Sequence, residues 1–151
     1  MYNAFADKLI EVTEHHAVDI SKQWCNAVRT NPRTPTYHTM SAEVCFPRAV
    51  DFYKNLRRIY FSEKPYTEVQ QYFSTYAEQA YKESIPLSES IYALIMMRRH
   101  MWLYADFQAI FVTGLDHQQA VESITKTIRL FDHGIYLVAR KYEALNEKSI
   151  G

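Results

Sequence analysis

Residues 121–145 decide the fold class, and they read VESITKTIRLFDHGIYLVARKYEAL. Apolar side chains recur through this stretch at alternating intervals of three and four residues, which places them along one face of an α-helix. Such a seam can pack within the chain or against a second copy of it, and the sequence leaves both open. Gly134 beside the seam would let a neighbouring helix approach closely. The seam residues are Val121, Ile124, Ile128, Phe131, Ile135, Val138, Tyr142 and Leu145.

The rest of the chain is also predicted to be helical, because residues that break helices are scarce. Only three glycines and five prolines occur among 151 residues, whereas all-β folds need many turns. These breakers separate five segments with helical periodicity. The prediction is a single all-α domain over residues 1–151, folded as a five-helix bundle for which a globin-like arrangement is one option.

Prolines set the predicted ends of the first two helices. The first helix runs from about residue 3 to residue 29 and stops before Pro32 and Pro35, which cannot continue it. The second helix starts near Ser41 and contains Pro47. Because proline is favoured in a first turn, we expect the helix proper to begin near Pro47, with a bend at Pro47 as the alternative.

The remaining helix ends combine prolines, a glycine and a capping pair. Pro65 and Pro86 are placed to begin the third and fourth helices. Gly114 would stop the fourth helix near residue 113, and Asp116 with Gln119 would cap the fifth. The positions expected to face the core in the first three helices are Phe5, Leu9, Val12, Ile20, Trp24 and Ala27, then Cys45, Ala49, Phe52, Leu56 and Ile59, then Val69, Tyr72, Phe73, Tyr76 and Ala80.

Charge and hydropathy exclude several classes of protein. Seventeen basic residues balance seventeen acidic ones, so the positive bias of a nucleic-acid-binding domain is missing. No apolar run approaches the roughly 20 residues that a membrane span needs, and residues 1–8 lack the pattern of a secretory signal. We therefore expect a cytoplasmic protein without membrane insertion, in which Cys25 and Cys45 are free thiols in the core.

The fourth helix carries the residues that most resemble a ligand site. Arg98 lies within an apolar stripe, and a buried guanidinium is costly unless it is paired. It can be satisfied by a structural ion pair, which is the commoner use, or by an anionic ligand held beside Trp102. The candidate ligand-binding residues are therefore Arg98 and Trp102, with Arg99 and His100 nearby. The stripe consists of Ile91, Ile95, Arg98, Trp102, Ala105 and Ala109.

Patterns typical of catalytic and metal sites are missing from the sequence. It contains no HExxH or ExxH pair, no GxSxG, no P-loop and no GxGxxG. We therefore expect neither enzymatic activity nor a resident cofactor or metal. Acidic residues such as Glu83 and Glu89 fall on polar helix faces, where solvation explains them. A haem needs only one axial histidine, so a haem-binding globin-like sensor stays open, with His100 and His16 as the first candidates.

Tyrosine is unusually frequent, with twelve in the chain, and eight of these fall in the middle three helices. Ordinary packing, with the hydroxyl reaching the surface, explains most of them. An aromatic-lined pocket or a protein-binding face would use the same residues, and the sequence does not separate these alternatives.

Two stretches resemble a known family of regulatory domains. Residues 24–37 read WCNAVRTNPRTPTY, with a tryptophan, a hydrophobic-Arg pair, and then Pro-Arg and a tyrosine. Residues 85–102 begin with Ile-Pro-Leu-Ser-Glu and continue to LIMMRRHMW, an aliphatic-Arg-Arg-x-x-Trp helix. Both stretches and their spacing are similar to the RsbRD-type N-terminal domain family.

The resemblance implies a regulatory input domain without enzymatic activity. Family members stand at the N-terminus of stressosome co-antagonists and of some sensor histidine kinases, and they pass a signal to a downstream output domain. Related stressosome input domains are dimeric and globin-like but lack haem. We therefore expect a signal-transduction sensor or protein-interaction domain that forms a homodimer, contacts a protein partner or a following signalling domain, and offers a site for a small ligand.

Three other functions stay open on the sequence alone. A haem- or gas-binding sensor predicts a Soret band that one histidine substitution removes. A small helical enzyme predicts turnover from a polar cluster, and a purely structural adaptor predicts a filled core without a pocket near Arg98. We expect Trp24, Arg33 and Tyr37 to be structural, holding the first loop (residues 31–37) against the bundle.

Overall fold

The computed structural model describes residues 10, 13–60, 65–107 and 117–150 of the chain. Within these ranges the chain is helical and contains no β-strand, which confirms the predicted all-α bundle. No helix in the described ranges is long and apolar enough to span a membrane. The elements are α1 (Ala17–Val28), a short 3-10 helix (Pro35–Thr39), α2 (Ala42–Tyr60), α3 (Pro65–Lys82), α4 (Leu87–Phe107) and α5 (His117–Ile150).

The first helical stretch is interrupted at His16, so the prediction of one continuous helix is wrong at this point. Residues 10 and 13–15 are helical, His16 leaves the helical conformation at φ −107° and ψ 20°, and α1 follows. The apolar spacing continues across the break from Ile10 to Ala17 and Ile20, all of which are buried. The sequence pattern therefore gives no sign of the break. The predicted core positions outside the described residues are Phe5, Leu9 and Val12.

The second helix begins at Ala42, so the expected start near Pro47 is wrong. Pro47 lies inside α2, beyond its first turn, where the missing N–H leaves the Glu43 carbonyl without its usual donor. Glu43 is exposed, so water can bond this carbonyl and the loss is small. The predicted core face of α2 is confirmed, since its members are all buried: Cys45, Ala49, Phe52, Leu56 and Ile59.

The turn between α3 and α4 depends on Ser84, whose φ of 60° is in the left-handed region. The Ser84 N–H donates to the Tyr81 carbonyl and the Ile85 N–H donates to the Ala80 carbonyl, both at 3.0 Å. This pair of bonds is the Schellman motif, which ends a helix. α4 begins directly after Pro86, as predicted.

Of the helix ends predicted at Pro65, Gly114 and Asp116, one lies within the described residues and is confirmed. α3 begins at Pro65, as predicted. The predicted stop at Gly114 and the predicted cap by Asp116 lie outside the described residues.

A buried carboxylate holds the 3-10 helix against the start of α4. Glu89 is 5% exposed, and it accepts hydrogen bonds from the N–H and the hydroxyl of Thr36, both at 2.7 Å. The expectation that Glu89 lies on a solvated face is wrong, because the loop that follows α1 covers the first turn of α4.

The central helix is α4, and backbone carbonyls in and just before it accept hydrogen bonds from aromatic side chains of α1, α2, α3 and α5. We call these bonds the α4 carbonyl contacts. Each one leaves its aromatic body in the apolar interior while its polar atom is satisfied. The pairs are Trp24 Nε1 of α1 with Ala93 O at 3.0 Å, Tyr53 Oη of α2 with Met97 O at 2.8 Å, Tyr76 Oη of α3 with Ser90 O at 3.0 Å, and Tyr142 Oη of α5 with Ile85 O at 2.8 Å.

The described part of the α5 seam packs within the chain. Phe131, Val138 and Tyr142 are buried, and the seam residues between and beside them are half-buried. This part of the seam therefore serves the bundle core and is not free to pair with a second copy. The side chains of Val121 and Ile124 lie outside the described residues.

Gly134 lies where α5 packs closely against Phe73 of α3. A Cβ added at Gly134 would lie 2.5 Å from the Phe73 ring, which is closer than real Cβ contacts allow. The predicted close approach at Gly134 is confirmed, and the helix that packs against it is α3.

Replacing Gly134 by alanine should destabilise the protein, although alanine is normally the better helix former. Alanine gains about 1 kcal/mol in helix propensity. The overlap with Phe73, which is 1% exposed and cannot easily move, should cost about 1–3 kcal/mol. We expect the free energy of unfolding, measured by urea denaturation, to fall by about 1 kcal/mol.

Two further variants isolate the steric cause. Ala144→Gly, at an exposed position of α5, reports helix propensity alone and should cost about 1 kcal/mol. Combining Gly134→Ala with Phe73→Leu should cost less than the sum of the two single changes, because leucine leaves room for the new methyl group. A Gly134→Ala variant more stable than the natural protein would contradict the tight contact.

Candidate functional site

A cavity of about 590 Å³ opens between α2 and α3, and we call it the α2–α3 cavity. Its floor is formed by aromatic and sulfur-containing side chains, among them Trp24, Tyr37, Cys45, Phe52, Tyr72, Tyr76 and Met97. Its mouth is formed by polar side chains of the two helices, namely Arg48, Asp51, Asn55 and Arg58 of α2 and Glu68, Gln71, Thr75 and Gln79 of α3.

Two ion pairs link α2 to the α3 segment, one toward each end of the cavity, and the acidic partners are Glu68 within α3 and Glu83 directly after it. Near the start of α2, Arg48 contacts both carboxylate oxygens of Glu83 at 2.6 and 2.7 Å. Near the end of α2, Arg58 lies 3.8 Å from Glu68. All four groups are partly exposed, so each pair contributes only about 0–1 kcal/mol. The pairs do, however, hold the two helices together at the ends and leave the cavity between them.

Two buried phenols meet on the floor of the cavity. Tyr76 donates to the Ser90 carbonyl as one of the α4 carbonyl contacts, and its phenol lies close to that of Tyr37. Burial raises the pKa of Tyr76 to about 12 and that of Tyr37 well above its ordinary range. Both phenols are therefore neutral near pH 7. Tyr37 also packs edge-on against Trp24 at 6.3 Å, which agrees with the structural role predicted for both residues.

The thiol of Cys45 lies on the same floor. Burial and the neighbouring Cys25 thiol raise the pKa of Cys45 to about 12. The thiolate is the reactive form of cysteine, so this thiol is a poor nucleophile. Both cysteines are free and buried, as predicted.

The geometry of the α2–α3 cavity suits binding. Aromatic faces with a few polar groups at the rim are typical of small-molecule sites. The phenols and the thiol of the floor are held neutral, so they would meet a ligand as apolar surface and as hydrogen-bonding groups. Among the described residues no group of three or more His, Cys, Asp or Glu side chains is placed to hold a metal ion.

Arg98, the centre of the predicted ligand site, faces α5. Its Nη1 lies 3.6 Å from Asp132 Oδ1, and its guanidinium lies 5.5 Å from the centre of the Trp102 ring. The Arg98 side chain is 22% exposed, whereas Asp132 is 65% exposed. An ion pair with Asp132 and stacking on Trp102 therefore account for the Arg98 charge. Of the two predicted explanations, a structural ion pair or an anionic ligand, the structure contains the ion pair.

The apolar stripe predicted around Arg98 is not the deepest face of α4. Ile91, Ile95, Arg98 and Trp102 are half-buried. A central helix is apolar on most sides, so the periodicity of its sequence does not mark one buried face. The deepest positions are Ser90, Ala93, Leu94, Met96, Met97 and Met101.

Arg99 points away from Arg98 and toward the first loop. The guanidiniums of Arg99 and Arg33 lie 5.8 and 5.4 Å from the centre of the Tyr92 ring. Arg99, and to a smaller extent Arg33, lower the pKa of the Tyr92 phenol. Arg33 thereby links the first loop to α4, in agreement with the structural role predicted for it.

His100 faces α1. It lines a shallow depression together with Gln23, Asn26, Ala27, Arg29, Thr30 and Leu103. Burial, and then the Arg99 charge, lower the pKa of His100. His16, the other candidate haem ligand, packs its ring 4.9 Å from the Tyr104 ring. None of the described residues that line the α2–α3 cavity is a histidine.

The four predicted site residues do not share one cleft, and none of them lines the α2–α3 cavity. Successive residues of a helix point about 100° apart, so neighbours in sequence face different partners. The signal that could have revealed the cavity is the series Gln71, Thr75 and Gln79. These polar residues recur every four positions beside the buried face of α3, at a place where the chain also concentrates tyrosine.

The environment of His100 makes the stability of the fold depend on pH. In the unfolded chain His100 takes up a proton near its ordinary pKa of about 6.5, whereas in the folded protein it does so only at lower pH. The contribution of His100 to the free energy of unfolding is therefore fully present above about pH 6.5. It is lost as the pH falls through the pKa of His100 in the folded protein. We expect the urea midpoint to decrease between about pH 7 and pH 5.5, and His100→Gln to weaken this decrease.

The matched control for this prediction is His15→Gln, since His15 is exposed. It should leave the pH dependence of the urea midpoint unchanged. An identical pH dependence in the natural protein and in His100→Gln would contradict the role assigned to His100.

Comparisons with known proteins find no match: no family model fits the chain, and no characterised protein or solved structure is significantly similar to it. The resemblance to the RsbRD-type N-terminal domain family stays a prediction that rests on the two motifs quoted above.

Proposed function

We propose that this chain is a non-catalytic sensory domain that binds a small organic molecule in the α2–α3 cavity. The observation that carries the proposal is the cavity itself, with its volume of about 590 Å³ and its aromatic floor. Small-molecule sites in proteins usually measure roughly 300–1,000 Å³ and are lined mainly by apolar and aromatic groups. A purely structural adaptor would have no use for such a space.

The packing around the cavity gives a route for the signal. Phe52 on the cavity floor lies 5.7 Å from the Tyr72 ring, 6.3 Å from the Phe73 ring and 5.8 Å from the Phe131 ring of α5. A ligand that separates α2 from α3 would displace these rings, and Phe73 fits against Gly134 without spare room. Any such movement is passed to α5, because tightly packed cores repack in discrete steps.

The resemblance to RsbRD-type domains supports the same function, since its two motifs lie against each other. Trp24 of the first motif donates to Ala93 of the second, and Arg33 of the first shares the Tyr92 ring with Arg99. The motif residues thus form one contact between the first loop and α4. This supports an input domain of that family, which would pass its signal to a protein partner or to a following signalling domain.

Homodimerisation is part of the proposal. The described part of the α5 seam is buried within the chain, so a dimer would use another surface of the molecule. Native mass spectrometry of the purified protein reports the number of subunits and any retained ligand together. We expect a dimer, and a monomer at micromolar concentration would contradict this part of the proposal.

The binding role predicts that small organic molecules bind in the cavity and that a bulky residue at its mouth excludes them. Thr75 is exposed in the middle of this mouth, so Thr75→Trp should fill the cavity without disturbing the core. We expect hits from a fragment screen, followed by two-dimensional NMR, to shift the signals of the cavity residues. The dissociation constants from titration of these shifts should be at least tenfold larger in Thr75→Trp, a loss of about 1.4 kcal/mol of binding.

The matched control is Gln70→Trp, which places the same side chain at an exposed position of α3 outside the cavity lining. It should leave fragment binding unchanged. Fragments that bind equally well to the natural protein and to Thr75→Trp would show that they bind elsewhere. A screen without hits in the cavity would contradict the proposal.

A further inference from the structure

Not every charged side chain at the mouth of the α2–α3 cavity has a partner of opposite charge. Four charged side chains line it, two basic and two acidic. Arg48 is held by Glu83, and Arg58 faces Glu68 across the cavity end. Asp51 has no basic partner among the described residues, and its carboxylate accepts only a hydrogen bond from Asn55 Nδ2 at 3.2 Å. The net result is one uncompensated negative charge at the centre of the mouth.

The groups between the two ion pairs carry no compensating charge. α2 presents Asp51 and Asn55, and α3 presents Gln71, Thr75 and Gln79. Amides and hydroxyls can donate to or accept from a ligand, but they cannot balance a charge. A ligand with a carboxylate or phosphate would therefore meet the Asp51 charge with both arginines already engaged.

The floor beneath Asp51 is aromatic. Burial, and then the Asp51 charge, raise the pKa of the Tyr72 phenol, and the Arg58 charge lowers it by a smaller amount. Tyr72 in turn packs edge-on against Phe52 at 5.7 Å. A carboxylate beside aromatic faces is the arrangement that attracts organic ammonium groups, because the ring quadrupole and the carboxylate both favour a cation.

We propose that the α2–α3 cavity selects an organic amine, with its ammonium group at Asp51 and its apolar body on the aromatic floor. This inference rests on the binding function proposed above and names the chemical class of the ligand. The neighbouring amides and Thr75 would receive the remaining N–H donors of the ammonium group. The ion pairs at the two ends set the length of the apolar body.

The test compares three probes of similar size that differ in charge: phenethylamine, phenethyl alcohol and hydrocinnamate. At neutral pH they are cationic, neutral and anionic. Their dissociation constants for the purified full chain are measured by NMR titration. We expect phenethylamine to bind roughly five- to tenfold more tightly than phenethyl alcohol, and hydrocinnamate to bind most weakly.

Two substitutions of the same residue assign the preference to Asp51. Asp51→Asn removes the charge and should bring the dissociation constant of phenethylamine to within about twofold of that of phenethyl alcohol. Asp51→Glu keeps the charge and should keep most of the preference. Glu143→Gln removes a charge from an exposed position of α5 outside the cavity and should change nothing. Thermal unfolding of each variant shows that it is folded.

The outcomes separate this inference from the binding function on which it rests. Equal or tighter binding of phenethyl alcohol or hydrocinnamate in the cavity would overturn the amine preference and leave the cavity a binding site. An amine preference that survives Asp51→Asn would overturn the role of Asp51. The absence of cavity binding by all three probes would count against the amine site, and if a broad fragment screen also fails, against the binding function.

Discussion

The structure depends on hydrogen bonds from four aromatic side chains to the backbone of the α4 segment. Trp24, Tyr53, Tyr76 and Tyr142 come from four different helices, and each donates to a carbonyl of residues 85–97. A buried phenol or indole without an acceptor would cost about 1–3 kcal/mol, so the carbonyls that accept from these four donors stabilise the packing of their helices against α4. The α4 carbonyl contacts thereby constrain the distance and the rotation of α1, α2, α3 and α5 relative to α4.

The cavity follows from this arrangement. α2 and α3 are each tied to α4, through Tyr53 and Tyr76, and ion pairs link the two at the ends of the cavity. Because both helices take their position from a third one, they need not close against each other along their length. The space that remains is bounded by the aromatic side chains that make or support the contacts. Two of the four anchoring side chains, Trp24 and Tyr76, thus also line the cavity.

Much of the fold could be predicted from the sequence, and the reasons for the failures are physical. The scarcity of glycine and proline and the seam of α5 indicated helices throughout, and Pro65 and Pro86 marked two helix starts. The turn at His16 could not be found, because apolar spacing continues across it. Pro47 misled the placement of α2, since an exposed carbonyl tolerates the loss of one donor.

The candidate site was less accessible to sequence reasoning. Arg98 attracted attention as a charge among apolar residues, but Asp132 and Trp102 account for it. Trp102 lies one helical turn after Arg98, whereas Asp132 comes from α5, and a one-dimensional pattern cannot show that α5 contacts Arg98. The cavity is built from two helices whose polar residues look like ordinary solvated surface. Which hydroxyls line a space and which merely reach water depends on helix rotation, and the α4 carbonyl contacts fix that rotation.

The use of backbone acceptors also affects how this fold can change over evolutionary time. A carbonyl is present whatever residue occupies the position, so drift in the side chains of α4 cannot delete an acceptor. Only the donors are exposed to mutation, and they are spread over four helices. Distant relatives could therefore share this architecture while retaining little more than a tryptophan and three tyrosines in register, with a central helix whose own sequence has diverged beyond detection.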